Sequence, residues 1–174
     1  MINLKSVTIS FVGLCLFVQP VLVSQPRTAS AEVLIQKLDG VRLNRLLAKR
    51  GRKALVLNVW ATWCVPCVEE FSALSRIAER YGSKGVEVAA VSIDVPEDLR
   101  DKVIPFVRQQ SGRIRYYINA FEKDEQFIDR LDKDWSGAIP ATFIFDAEGR
   151  QKKLLLGKQT ESSFAKPLDS LLAR

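Results

Sequence analysis

The sequence predicts an α/β fold in which a central mixed β-sheet is flanked by helices on both faces. Short apolar runs at 54–60, 87–93 and 141–145 are typical of buried strands. Helical patterns alternate with the first two runs, as in units of two parallel strands joined by a helix. The third run is followed by a turn at 146–149 and a strand at 152–156. This order predicts a terminal antiparallel hairpin.

Helices are predicted where apolar residues recur at a period near 3.6: over 41–49, 65–81, 97–110, 124–131 and 162–172. A short strand, 115–118, lies between the third and fourth helices. Pro105 should kink or split the third helix, because proline lacks the N–H that an inner helical turn requires. Pro167 is a breaker inside the last helix that the sequence does not explain. No repeat or interdomain linker interrupts the pattern.

The first 31 residues have the features of an export signal. Lys5 precedes an apolar core over 7–17, and Ala29-Ser-Ala31 is typical of a cleavage site. Cleavage there would leave residues 32–174, enough for one domain with one core. The alternative is a membrane anchor over 7–23, which is short for a span and contains a proline at position 20. We expect an extracytoplasmic, periplasmic protein in either case.

The charge of the chain gives little indication of a partner. The formal net charge is +6, and the densest basic run, 49–53, has no aromatic residues among its basic ones. Nucleic-acid surfaces usually combine clustered basic residues with a recognisable binding motif. We therefore interpret the run as a solvated turn and expect no nucleic-acid partner.

The most informative motif is Trp-Cys-Val-Pro-Cys at 63–67, which follows a predicted strand and opens a predicted helix. The chain has three cysteines and no histidine. These counts exclude a closed zinc site, haem attachment through Cys-x-x-Cys-His, and a copper site built from cysteine and histidine. We expect neither a metal nor a cofactor. A purely structural bridge is disfavoured, because a disulfide across two residues removes little chain entropy.

The position of Cys64 at the start of a helix predicts chemistry. Unpaired N–H groups and the helix dipole favour a negatively charged sulfur there, and the thiolate is the species that attacks disulfides. We therefore predict that Cys64 is the nucleophile. Cys67, one helical turn later and more buried, is predicted to resolve the mixed disulfide.

The chain resembles the thioredoxin fold and, more narrowly, the exported TlpA-like thiol–disulfide oxidoreductases, which include reductases of cytochrome c maturation. The residues that carry the resemblance are 57–67, Glu70 and 138–149, and it extends over residues 34–173. The interval between Cys67 and the second block exceeds that of a minimal thioredoxin. An inserted element around 97–130, as this family carries, would account for the difference.

The resemblance implies further site residues. Ile139-Pro140 would be a cis peptide bond that faces the cysteines, and it would leave the backbone of Ile139 open to an extended substrate. We expect Trp63 and Pro66 to contribute to the same docking surface. Trp60 is predicted to belong to the core.

Asn58 stands where thioredoxins carry a buried aspartate. An amide cannot accept the proton of Cys67, and TlpA-like proteins with this asparagine often place a glutamate at the start of the insertion. The resemblance therefore implies Glu97 as the acid–base residue, with Asp94 as the alternative. Glu70 matches a glutamate of the family, but we interpret it as a residue of a solvated helix face. Ser72 replaces a proline that often kinks the family's helix.

The predicted activity is the reduction of disulfides in exported proteins, and we expect the protein to be a monomer. An upstream membrane or periplasmic dithiol donor would re-reduce it. Neither Val65 nor Pro66 stabilises a thiolate, which favours a reducing site. Three alternatives stay open. The protein could be a disulfide oxidase or isomerase, a thiol peroxidase on the same fold, or a binding module whose cysteines are idle. The peroxidase pattern Pro-x-x-x-Thr/Ser-x-x-Cys is absent before Cys64.

Overall fold

The computed structural model describes residues 34–48, 51 and 54–173. The predicted signal or anchor segment, 1–31, lies outside this part of the chain, as does most of the basic run 49–53. Among the described residues, no helix has the length and apolar character needed to cross a membrane.

Six strands form one mixed sheet in the described chain: β1 (Ile35–Leu38), β2 (Ala54–Trp60), β3 (Val86–Ser92), β4 (Ile114–Asn119), β5 (Ala141–Asp146) and β6 (Gln151–Leu156). Their spatial order is β1-β4-β3-β2-β5-β6. The first four strands in this order run parallel, whereas β5 is antiparallel to both β2 and β6. The predicted mixed sheet with a terminal hairpin is therefore confirmed.

Helices cover both faces of the sheet: α1 (Gly40–Leu47), α2 (Val65–Gly82), α3 (Ile104–Val107), α4 (Asp124–Leu131) and α5 (Glu161–Leu172). Apolar side chains of α2, α3 and α5 form one core with one face of the sheet. Those of α1 and α4 form a second core with the other face. β2 is buried along its whole length between the two cores, which explains its nearly continuous apolar sequence.

The structure differs from the predicted elements in two places. β1 was not predicted; it is a four-residue edge strand that pairs only with β4. The predicted helix 97–110 is a π-helical turn, Leu99–Val103, followed by the short α3. Pro105 lies in the first turn of α3, where its missing N–H breaks no helical bond. α5, in contrast, runs through Pro167 without interruption.

The segment between β3 and β5 contains the π-helical turn, α3, β4 and α4. It corresponds to the inserted element predicted around 97–130. β4 inserts between β1 and β3 in the sheet, so the insertion widens the sheet by one strand.

An aromatic cluster fixes α2 against the sheet. The Trp60 ring lies 4.6 Å from the Phe71 ring and 4.9 Å from the Phe106 ring, measured between centroids. Trp60 is fully buried, which confirms its predicted place in the core. Such aromatic contacts contribute on the order of 1 kcal/mol each beyond the area they bury. The start of α2 is therefore held at the end of β2.

The four parallel strands end at one edge of the sheet, as parallel strands must. The loop to Cys64 follows β2 there, and Asp94 follows β3. A backbone hydrogen bond of 2.9 Å from the Ile93 N–H to the Trp60 carbonyl joins the two strand ends. The candidate site is built on this edge.

Candidate active site

Cys64 and Cys67 form a disulfide, with their sulfur atoms 2.06 Å apart, at the N-terminus of α2. Cys64 is the N-cap residue of the helix, and its Sγ accepts a hydrogen bond of 3.3 Å from the Cys67 N–H. The backbone thus directs a free N–H of the first turn at the Cys64 sulfur. This geometry stabilises negative charge on that atom once the disulfide opens.

The two cysteines differ in their access to solvent. Cys64 is 6 % exposed, whereas Cys67 is fully buried. The residues around Cys64 project outward, since Trp63 is 63 % and Val65 66 % exposed and Pro66 is also exposed. An incoming molecule therefore reaches the sulfur of Cys64 before that of Cys67, and it meets an apolar surface while doing so.

Ile139-Pro140 is a cis peptide bond, as the resemblance implied. β5 pairs with β2 up to the Ala141–Val59 pair, and Ile139 packs against the core cluster that contains both cysteines. Pro140 is buried and Ile139 is half-buried. In the described chain no hydrogen bond involves the backbone of Ile139, whereas the Pro140 carbonyl accepts one from the Gly157 N–H at 2.8 Å.

Glu70 is buried, at 1 % exposure, so the interpretation of this residue as part of a solvated helix face was wrong. Its two carboxylate oxygens accept hydrogen bonds of 2.8 Å, one from the Asn58 amide and one from the Gln159 N–H. Burial raises the pKa of Glu70 above its ordinary value, although both hydrogen bonds act in the opposite direction. Glu70 follows Cys67 by three residues and therefore lies on the same buried face of α2.

Asn58 links this glutamate to the sheet. Its side-chain nitrogen also donates to the Thr142 hydroxyl at 2.9 Å, so β2, β5 and α2 meet at one amide. The Asn58 side-chain oxygen is buried without a hydrogen-bond partner among the described residues. The position is thus occupied by a neutral polar group that is bonded to a carboxylate.

The two carboxylates proposed from the sequence as acid–base candidates lie in different surroundings. Glu97 is exposed in the turn before the π-helical segment. Asp94 is 3 % exposed and is bonded to Thr62 in the loop before Cys64. Sequence reasoning missed the contacts of Glu70 and Asp94 because their partners are distant in the chain. The helical spacing from Cys67 could, however, have indicated the burial of Glu70.

Within the described part of the chain, no three histidine, cysteine, aspartate or glutamate residues are grouped so that they could hold a metal ion. The reactive groups that the structure brings to this edge are the two sulfur atoms and the carboxylates near them. A Cys-x-x-Cys disulfide at a helix N-terminus, together with a cis-proline before β5 of this sheet, is typical of a thiol–disulfide oxidoreductase of the thioredoxin fold.

Comparison with known proteins gives the same class. Residues 29–152 match the AhpC/TSA family. A thiol-disulfide oxidoreductase ResA from Geobacillus thermodenitrificans is 28 % identical over 155 residues, which cover 83 % of this chain and 76 % of the relative. The ResA protein of Bacillus anthracis is 30 % identical over 128 residues, covering 74 % of this chain and 68 % of the relative. The chain belongs to the AhpC/TSA family and, within it, groups with the thiol-disulfide oxidoreductases named ResA.

Solved structures agree on the fold. A thioredoxin-related protein from Neisseria meningitidis serogroup B superposes with a TM-score of 0.58 at 21 % identity, covering 72 % of this chain and 89 % of that protein. A thiol:disulfide interchange protein from Chlorobium tepidum TLS gives 0.56 at 19 % identity, covering 74 % and 84 %. The predicted thioredoxin fold is confirmed, and this protein is a thiol–disulfide oxidoreductase.

Proposed function

We propose that the protein works outside the cytoplasm, where it reduces disulfides of exported proteins through Cys64 and Cys67. The observation that carries this proposal is the pair of sulfurs at the start of α2. One of them is reachable and receives a backbone N–H, and the other is fully buried behind it. A reachable thiolate with a resolving thiol one turn away is the arrangement that two-step disulfide exchange requires.

In the first step the Cys64 thiolate attacks one sulfur of a substrate disulfide. A bond forms between Cys64 and that sulfur, the substrate disulfide breaks, and the other substrate sulfur leaves as a thiolate. In the second step the Cys67 thiolate attacks Cys64, which releases the remaining substrate thiolate and forms the Cys64–Cys67 disulfide. Two electrons pass from the protein to the substrate, and an upstream dithiol donor restores them.

The second step needs a group that takes the proton of Cys67. Glu97 is the acid–base residue predicted from the sequence, and Glu70 joins it as a candidate. The support for Glu70 is its burial on the Cys67 face of α2 and its raised pKa. A carboxylate whose pKa is raised by burial is a stronger proton acceptor at neutral pH than an exposed one.

We propose that the substrate docks on Trp63, Pro66, Ile139 and Pro140. Trp63 and Pro66 flank the reachable sulfur with exposed apolar surface. The unbonded backbone of Ile139 could pair with an extended segment of the substrate, in the manner of an added strand. The monomer suffices for this cycle, since each of these residues and both cysteines belong to one chain.

The reducing direction is supported by the two residues between the cysteines. Val65 and Pro66 carry neither a cation nor a side-chain donor, so the backbone alone stabilises the Cys64 thiolate. A less stabilised thiolate means a less stable dithiol and a more reducing site. The extracytoplasmic location rests on the signal-like segment 1–31, which would be removed or would serve as a tether through 7–23.

Variants of the two cysteines test the proposal. The Cys67→Ser variant should accumulate mixed disulfides with its substrates, because the second step is blocked. The matched Cys64→Ser variant should accumulate none. Mass spectrometry of adducts captured from the extracytoplasmic fraction would identify the substrates. Equal trapping by both variants, or by neither, would contradict the assignment of Cys64 as the nucleophile.

Equilibration of the wild-type protein separates reductase from oxidase or isomerase. A reductase should stay mostly oxidised in a glutathione buffer and become reduced by dithiothreitol. Full reduction by the glutathione buffer would instead favour an oxidase or isomerase. Faster consumption of peroxide than of a protein disulfide would favour the thiol peroxidase.

A further inference from the structure

Asp94 fixes the loop that leads to the nucleophile. Its carboxylate accepts hydrogen bonds from the Thr62 N–H, at 3.0 and 3.2 Å to its two oxygens, and from the Thr62 hydroxyl. It also accepts one of 2.7 Å from the Ser92 hydroxyl at the end of β3. Because Thr62 stands two residues before Cys64, these bonds tie the cysteine loop to the neighbouring strand.

The partners of Asp94 are all neutral. Within residues 34–48, 51 and 54–173, no ion pair involves Asp94, and the residue is 3 % exposed. A cavity of about 420 Å³ lies beside it, lined also by Lys37 and Asp124. Its partners at hydrogen-bond distance are two hydroxyls and a backbone N–H, all able to donate, which is the pattern that suits an ionised carboxylate.

We propose that Asp94 is a positioning residue that holds the Thr62–Cys64 loop and places a negative charge without an ion-pair partner at the base of this loop, two residues before Cys64, so that the thiolate is disfavoured and the site becomes more reducing. This inference rests on the proposed reductase function and concerns the same sulfur. It gives Asp94 a role different from that of a proton acceptor, because the carboxylate acts on the sulfur through its charge and on the loop through its hydrogen bonds.

The sign of the effect follows from electrostatics. A fixed negative charge near a thiol opposes its ionisation and raises its pKa. The dithiol form then gains less from ionisation, and the disulfide becomes relatively more stable. The other charged groups of this end of the molecule stay in place when Asp94 alone is changed: the buried Glu70 on α2, the exposed Glu97, and Lys37 and Asp124 at the cavity.

The Asp94→Asn variant removes the charge and keeps a polar side chain of the same shape. We expect the pKa of Cys64, measured from the pH dependence of its alkylation, to fall. Removing one nearby unit charge should change the thiolate population below that pKa on the order of tenfold. At pH 8 the variant should also hold a severalfold larger dithiol fraction than wild type in the same dithiothreitol buffer.

Two further variants separate charge from anchoring. Asp146→Asn changes another buried aspartate, at the β5–β6 turn, and should leave the Cys64 pKa unchanged. Thr62→Val removes the hydroxyl donor and keeps the Asp94 charge, so the Cys64 pKa should stay at or above the wild-type value. A lower value in Thr62→Val overturns the proposal, even if Asp94→Asn does not fold.

The proposal is also overturned if folded Asp94→Asn has an unchanged or higher Cys64 pKa. In that case, a wild-type protein that still reduces disulfides leaves the reductase function intact. If the wild-type protein itself fails to exchange disulfides, the proposed function is contradicted instead.

Discussion

Two regions of the molecule contain buried carboxylates, and the groups that bind these carboxylates differ in charge. At the β5–β6 turn, Asp146 is bonded to Arg150 at 2.9 Å and lies 3.2 Å from the Lys152 amine. At the cysteine edge of the sheet, Glu70 and Asp94 have only neutral partners. The cations stabilise the charge at the turn, where it fastens a hairpin. At the cysteine edge the charges stay uncompensated, which leaves them able to take a proton or to act on a nearby sulfur.

The pKa directions follow this difference. Burial alone would raise the pKa of Asp146, but the hydrogen bonds from Arg150 and Lys152 lower it to about 2. For Glu70 burial prevails, and its pKa is raised. The carboxylate of Asp146 at the turn is thus kept ionised, whereas the pKa of Glu70 near Cys67 is shifted upward, toward neutral pH.

The largest expected effect comes from Glu70→Gln. If Glu70 accepts the Cys67 proton, the release of substrate from the mixed disulfide should slow about tenfold to a hundredfold. Stopped-flow or quenched-flow measurement of that step would show it. Glu69→Gln is the matched control, because Glu69 is exposed on the same turn and paired with Lys158 at 2.7 Å.

Glu97→Gln sharpens the same comparison. A wild-type rate in Glu70→Gln together with a slowed release in Glu97→Gln would assign the proton transfer to Glu97. The role proposed here for Glu70 would then be refuted.

The sequence predicted the site's sulfurs better than its carboxylates. The cysteine pair is a local motif, and the strand and helix around it follow from local periodicity, so Cys64 and Cys67 were placed correctly. Glu70, in contrast, meets Asn58 and Gln159, which are 12 and 89 residues away. No local pattern encodes such partners, and a charged residue early in a helix is usually solvated.

The fold shows the same limit. β2, β3 and β5 were predicted because they are buried and apolar throughout, or nearly so. β1 was missed because a four-residue edge strand with one buried position carries almost no pattern. The stretch 97–110 was predicted as one helix because its apolar spacing is helical. The π-helical turn at 99–103 was not foreseen, and Pro105 lies inside the first turn of α3 and not at a break.

The next largest expected effect is a loss of stability at the β5–β6 turn. Asp146→Ala should lower the free energy of unfolding at pH 7 by about 2 kcal/mol, because the turn loses its buried acceptor, Lys152 loses its ion pair and Arg150 keeps only Glu148. Chemical denaturation would measure the loss, and disulfide exchange should be unaffected. Glu148→Ala, at the same turn but exposed and paired with Arg150, should change stability little; an equal loss there would mean that Asp146 has no special role.

A smaller loss is expected from Thr142→Val, which removes the hydroxyl that accepts from Asn58. One buried hydrogen bond of this kind is worth about 1 kcal/mol. Urea denaturation of the variant and of the wild type gives the difference. No loss would indicate that the Asn58 amide finds another partner.

The smallest expected effect is on the pH dependence of stability, which should differ between the two regions. The folded-state pKa of Asp146 is depressed to about 2, so its contribution is complete above its unfolded value, near pH 4, and is lost as the pH falls toward 2. The folded-state pKa of Glu70 is raised, so its contribution is complete below its unfolded value and is lost as the pH rises through the folded one. Each variant should flatten one side of the plot of unfolding free energy against pH: Asp146→Asn the acidic side, and Glu70→Gln the opposite side. The same flattening in both would contradict the comparison.

Selective alkylation of the reduced protein tests the roles of the two sulfurs most directly. After mild treatment with dithiothreitol, a limiting amount of iodoacetamide at neutral pH should label Cys64 and leave Cys67 almost unlabelled, as peptide mass spectrometry would show. Preferential labelling of Cys67, or a disulfide that dithiothreitol does not open, would contradict the assignment of a reachable attacking sulfur with a buried partner behind it.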